Sequence, residues 1–235
     1  MLEGIGRIMT KQVYNTKIVT IKDLAHPRQE LAEAVALLRQ NQVVAFPTET
    51  VYGLGALGLS TEAVATLYQT KGRPRNKAFS LQIPHVSMLP ELVTKVPEMA
   101  SKLLQAFAPG PLTVILPKKD HIPDIVTGGK NTVGIRIPQQ PVALALLQLL
   151  GEPLAVPSAN ISGHRSPCSA QEVWEDLQGR IPLIVDGGPC AVGQESTIVD
   201  CTGNQPVIVR QGAISLEAIQ QVLPDYEVSV LGDNK

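Results

Sequence analysis

Short apolar runs alternate with stretches of helical periodicity along almost the whole chain. Runs at 17–21, 43–46, 79–83, 112–116, 132–137, 154–156, 183–186, 197–200 and 207–210 are apolar over strand length and end at Gly, Pro, Asn or Asp, or at a charged residue. Between them lie helical patterns. In 29–40, Leu31, Val35 and Leu38 share one stripe; Ser60 caps a helix carrying Val64, Leu67 and Tyr68. Pro97 opens a helix at its first position with Ala100, Leu103, Leu104 and Phe107 facing inward. Residues 141–150 form an apolar helix stopped by Gly151, Ser169-x-x-Glu172 is a capping box ahead of Val173 and Leu177, and 215–223 is a last helix. Between the run at 43–46 and the helix after Ser60, the glycine-rich segment 53–58 reads as a turn. Interleaved strands and helices with no low-complexity linker and no internal repeat predict a single α/β domain on a mixed sheet.

Composition changes this picture only slightly. The 235 residues are 44% hydrophobic and 3% aromatic, so the core is aliphatic. A formal net charge of -1 gives no global attraction to nucleic acid, and any basic site is local. The three cysteines have no C-x-x-C spacing and the four histidines no metal-ligand spacing, which predicts free structural thiols and no zinc site. The N-terminus lacks an apolar leader and no run approaches membrane-span length, so the expectation is a soluble, cytoplasmic protein without membrane contact.

Candidate chemistry concentrates in a few places. Gly53-x-Gly55-x-x-Gly58 matches a dinucleotide fingerprint, but six residues separate it from the preceding strand and 78–85 holds no acid for a ribose. Gly129-Lys130-Asn131 fails as a phosphate loop, because Asn131 stands where Ser or Thr would hold magnesium. Lys71, Arg73, Arg75 and Lys77 alternate along a Gly/Pro loop. On most proteins such a run is a solvated basic surface; if extended, it aims several cations one way. At about 1.5–3 kcal/mol per charge-assisted bond, three such bonds supply much of a micromolar affinity. Thr48, Glu49 and Thr50 form a polar loop after a buried strand, and Pro157-Ser158-Ala159-Asn160 repeats the design. Arg136 interrupts one apolar strand and Arg210 ends another. No activated nucleophile is visible, so the chemistry rests on positioning and electrostatics.

Together, PTETVYGLG at 47–55, KGRP at 71–74, GPLTVIL at 110–116, VGIRIP at 133–138, PSANISG at 157–163, STIVD at 196–200 and VRQG at 209–212 resemble the YrdC-like family that makes threonylcarbamoyl-AMP. The resemblance implies a twisted, open mixed sheet flanked by helices around a large concave cavity. Residues 1–17 carry no periodicity and read as an N-terminal extension, ahead of a catalytic domain expected at 18–225 and a tail at 226–235. The implied reaction joins L-threonine, bicarbonate or CO2 and ATP into L-threonylcarbamoyladenylate and pyrophosphate. That product feeds the downstream machinery that modifies adenosine 37 of tRNAs reading ANN codons. Carried over by motif, Lys71 and Arg73 hold the ATP phosphates as the catalytic cations, with Lys77 in the same role. Thr132, Ser158, Ser166 and Arg210 fall on the nucleotide side, and Asn160 near phosphate or Mg2+. Thr50, Arg136 and Ser196 contact threonine, with Gln82 and the Val156 backbone as further candidates. The chain departs from the family at 77, where Lys replaces the commoner Asn, and at 82, where Gln replaces a frequent His. The chain is also shorter than members with a second C-terminal domain. The alternative from another class is an RNA-binding module without adenylate synthesis, which the basic loop motivates and the net charge weakens.

Overall fold

The structure, a computed structural model, describes residues 13–24 and 27–232. Most of the expected N-terminal extension, together with His26, lies outside the described residues. The elements run β1 (Lys17–Thr20), α1 (Ala32–Arg39), β2 (Val44–Phe46), β3 (Gly53–Leu57), α2 (Thr61–Lys71), β4 (Ser80–Gln82), a 3-10 turn (Val86–Met88), α3 (Leu89–Leu92), α4 (Glu98–Phe107), β5 (Leu112–Pro117), α5 (Asp124–Thr127), β6 (Thr132–Arg136), α6 (Pro141–Leu150), β7 (Leu154–Ala155), α7 (Ala170–Leu177), β8 (Leu183–Asp186), β9 (Thr197–Asp200), β10 (Val207–Arg210), α8 (Leu216–Val222) and β11 (Ser229–Val230). The strands form one open mixed sheet in the order β1-β8-β2-β3-β7-β4-β6-β5-β9-β10-β11. Parallel pairs (β2 with β8, β4 with β6, β5 with β9) alternate with antiparallel ones such as β5 with β6, and helices flank the sheet.

The main correction to the sequence reading is β3. Residues expected to form a turn are a fully buried central strand between β2 and β7, antiparallel to both. Glycine is required there by close approach. A Cβ on Gly55 would sit 2.6 Å from the Phe46 ring, and one on Gly53 would sit 2.5 Å from Val156 Cγ1. Phe46 on β2 and Val156 just after β7 therefore fill the space that β3 leaves empty. At the other end, the expected tail contributes β11, which pairs parallel with β10, and Tyr226, Val228 and Val230 pack on the core. Ahead of β1, buried Thr16 donates to Ile181 O at 2.6 Å and accepts from Gly179 N at 2.9 Å, so ordered packing also precedes residue 18.

Two local stop signals place functional side chains. Ser60 caps α2 by accepting from Ala63 N, and Gly72, left-handed at φ 59°, ends it with Lys71 in its last turn. Ser169 caps α7 by accepting from Glu172 N, which sets the register of Trp174 and Asp176 on that helix.

Candidate active site

The loop between β2 and β3, the ends of β4 and β6, the start of β9 and the end of β10 converge on a cavity of about 150 Å3. Arg136, the last residue of β6, is buried there. Its Nη2 donates to Glu49 Oε1 and to Thr50 Oγ1, both at 2.8 Å, while Glu49 Oε2 accepts from the backbone N–H of Gln139 at 3.0 Å. Thr48 folds the loop onto itself, donating to Val51 O at 2.6 Å and accepting from Thr50 N at 3.2 Å. Ser196 and Thr113 share a hydrogen bond at 2.9 Å on the same wall. Among the described residues, two buried side-chain atoms have no hydrogen-bond partner: Arg136 Nε, a donor, and Gln82 Oε1, an acceptor. All five residues assigned to threonine from the sequence, namely Thr50, Gln82, Arg136, Val156 and Ser196, line this cavity.

The residues assigned to the nucleotide are more dispersed. Arg73, Ser158 and Arg210 line the cavity; Lys71, Lys77, Thr132, Asn160 and Ser166 do not. Lys71 is 1% exposed, and its Nζ donates to Ser158 O and Asn160 O, both at 2.5 Å. Desolvation, with Arg73 nearby, pulls its pKa down to about 7. Arg73 is turned back on its own loop, where Nε donates to Lys77 O at 3.1 Å and Nη2 to Ala78 O at 3.0 Å, with the guanidinium 5.0 Å above the Phe79 ring. Arg210 pairs with Glu195 and also donates to Ser196 O, at 3.2 Å from Nε and 2.9 Å from Nη2. Burial lowers both arginine pKa values from their usual range. Lys77 is exposed, and Thr132 pairs with Pro117 at the far end of β6 from Arg136. The space is smaller than the large cavity expected, and below the roughly 300–1,000 Å3 usual for drug-sized ligands. The inward fold of these cations accompanies that difference.

Asn160 is held in the loop rather than presented to a ligand. Its Nδ2 donates to Ile161 O at 2.9 Å and to His164 O at 2.8 Å, and its Oδ1 lies 3.5 Å from the Lys71 amine. Asp176 on α7 anchors the same loop, accepting from Ile161 N and lying against His164 Nδ1, each at 2.6 Å. A neighbouring cation opposes a magnesium ion at Asn160 Oδ1, and the described residues contain no group of three or more His, Cys, Asp or Glu fit to hold a metal. The cysteines are free, and burial pushes Cys190 and Cys201 up to about 12, the behaviour of inert thiols.

Sequence reasoning missed Thr113 and Glu195, and it read Glu49 only as part of a polar turn. Its signal was a carboxylate directly after a buried apolar strand. The family model described as telomere recombination, Sua5/YciO/YrdC, matches residues 36–212, which include both walls of the cavity. The chain belongs to the Sua5/YciO/YrdC family. Within that family it is 50% identical over 200 residues to the threonylcarbamoyl-AMP synthase of Bacillus subtilis, covering 85% of this chain and 58% of that protein. The synthase of Pyrococcus abyssi is 44% identical, covering 83% of this chain and 57% of that one, so the chain spans a little over half the length of these relatives. A putative threonylcarbamoyl-AMP synthase of Mycobacterium tuberculosis is 36% identical and matched over 98% of its length. Among solved structures, P. abyssi Sua5 complexed with L-threonine superposes with a TM-score of 0.87 at 41% identity, covering 90% of this chain and 62% of that one. E. coli YciO superposes with a TM-score of 0.77 at 27% identity, covering 88% and 100%. No helix among the described residues of this Sua5/YciO/YrdC chain is long and apolar enough to cross a membrane.

Proposed function

We propose that this protein makes L-threonylcarbamoyladenylate and pyrophosphate from L-threonine, bicarbonate or CO2 and ATP. The observation that carries the reading is the pair of unsatisfied buried atoms. Arg136 Nε is a donor suited to a carboxylate and Gln82 Oε1 an acceptor suited to an amine, in a cavity of amino-acid size. The Ser196–Thr113 hydroxyl pair and Thr50 offer partners to a small hydroxylated side chain. A structure of a relative bound to L-threonine, with 41% identity to this chain, supports the same choice.

Held by Arg136, threonine exposes its amine, which attacks CO2. An N–C bond forms and a proton leaves, giving N-carboxy-threonine. A carbamate oxygen then attacks the α-phosphorus of ATP, and the bond to the β-phosphate oxygen breaks with its electron pair on pyrophosphate. Arg73 and Arg210, with Lys71 behind them, offset the charge that develops on the phosphates. The cations must first leave their internal acceptors, so the nucleotide enters by rearrangement of that wall. Magnesium accompanies ATP as its counter-ion, and no step is assigned to a protein-bound metal. The product passes to the machinery that modifies tRNA.

The deciding measurement is pyrophosphate release from ATP with threonine and bicarbonate omitted in turn. Release that requires both is expected; release indifferent to threonine would overturn the reading, and tight RNA binding without any turnover would favour the RNA-binding alternative.

A further inference from the structure

One side chain on the cavity wall carries the wrong charge for a phosphate site. Glu195 lies just ahead of β9, with Oε1 accepting from Ser166 Oγ at 2.8 Å and Oε2 paired with Arg210 Nη1. Its charge also reaches Lys71 and Arg73, favouring the protonated form of each. Glu195 thus occupies one arginine and one hydroxyl that the nucleotide reading gives to phosphate, with Lys71 and Arg73 within reach of its charge and Asp176 acting on Lys71 as well. The other hydrogen-bond acceptors of these cations are neutral: Ser158 O, Asn160 O and Asn160 Oδ1 for Lys71, Lys77 O and Ala78 O for Arg73, and Ser196 O and Oγ for Arg210, while Asp176 also acts on Lys71 through its charge. Glu195 and Arg210 retain 36% and 40% side-chain exposure, so the carboxylate can swing into water without unpacking the core.

We propose that Glu195 is a built-in stand-in for the nucleotide's phosphate, holding Ser166 and Arg210 in the free protein and yielding them to an incoming polyphosphate. The proposal rests on the nucleotide reading above and deepens it. Since carboxylate and phosphate compete for the same donors, Glu195 opposes binding while keeping the site assembled. It selects for ligands with enough charge to displace it, namely triphosphate and pyrophosphate over monophosphate. After turnover it competes for Arg210 and so helps pyrophosphate leave.

The test is calorimetric titration of ATP and of inorganic pyrophosphate into the full chain and into Glu195→Gln, which keeps an acceptor for Ser166 but removes the charge. Both ligands are expected to bind the variant about tenfold more tightly (about 1.4 kcal/mol). KM for ATP should fall without a matching rise in kcat, and the L-threonine affinity should stay within about twofold. Glu195→Asp, which retains the charge, should bind ATP about as weakly as the unaltered protein. Unchanged or weaker ATP binding by a natively folded Glu195→Gln overturns the stand-in role. If the unaltered protein binds no ATP at all, the nucleotide reading fails, and the stand-in with it.

Discussion

Two Arg–Glu pairs of the same chemistry place their arginines on the cavity wall in opposite settings. Arg136 and Glu49 have 7% and 9% side-chain exposure, and each also bonds to the fixed backbone or hydroxyls around it. Arg210 and Glu195 are at 40% and 36%, with a serine hydroxyl as the carboxylate's other partner. A buried pair gives an unpaired charge nowhere to go, so it is permanent scaffolding; a half-exposed pair exchanges with water and with a competing anion at little cost. The wall proposed for the amino acid is thus assembled in advance, whereas the wall proposed for the nucleotide is held by partners that a ligand can replace.

The sharpest way to break this contrast is Glu49→Ala, which strands Arg136 in the core. A loss of about 3–5 kcal/mol of stability is expected from urea unfolding, together with loss of threonine-dependent pyrophosphate release. Next is Arg73→Ala. Its guanidinium touches only its own loop in the free protein, so circular dichroism and the urea midpoint should stay near those of the parent while kcat falls by about 10²–10³. An unaltered kcat would remove the basic loop from the phosphate site.

Lys71 allows a test in pH. Its folded pKa of about 7 lies below the ordinary 10.5, so between those values the unfolded chain binds more protons and stability rises with pH. Below about 7 both states are protonated and the slope vanishes. The stability of the parent relative to Lys71→Met should therefore climb from pH 7.5 to 9.5 by at most about 1.4 kcal/mol per unit, and a flat difference would mean that the buried amine keeps its ordinary pKa. The smallest effect is expected for Glu195→Ala, within about 1 kcal/mol of the parent in urea. A loss as large as that of Glu49→Ala would erase the distinction between the two pairs.

Much of this arrangement was legible in the chain. The strands at 183–186, 197–200 and 207–210 and the helix at 141–150 match residue for residue, because continuous apolar runs there meet clear stop signals. β3 was not legible: its glycines carry no side chains to form a pattern, and what makes them a strand is the bulk of Phe46 on β2 and of Val156 just after β7. β11 is two residues long, and α3 and α5 are single turns, too short for periodicity to register. Within the site, Arg136 stood out as a charge in an apolar strand. Its partner Glu49 is 87 residues away, a pairing that no local pattern announces. Glu195 sits in an ordinary polar loop and acquires meaning only from Arg210 and Ser166, which come from other parts of the chain to meet it.

The helix that anchors the loop at 160–164 also carries the chain's single tryptophan. Trp174 is partly buried against the core, two positions before the Asp176 carboxylate that grips residues 161 and 164. The wall proposed for threonine holds no indole. The protein consequently has a native optical label on one side of its cavity only: an emission change on adding ATP, with none on adding threonine, would read out the rearrangement proposed for that wall without any engineered probe.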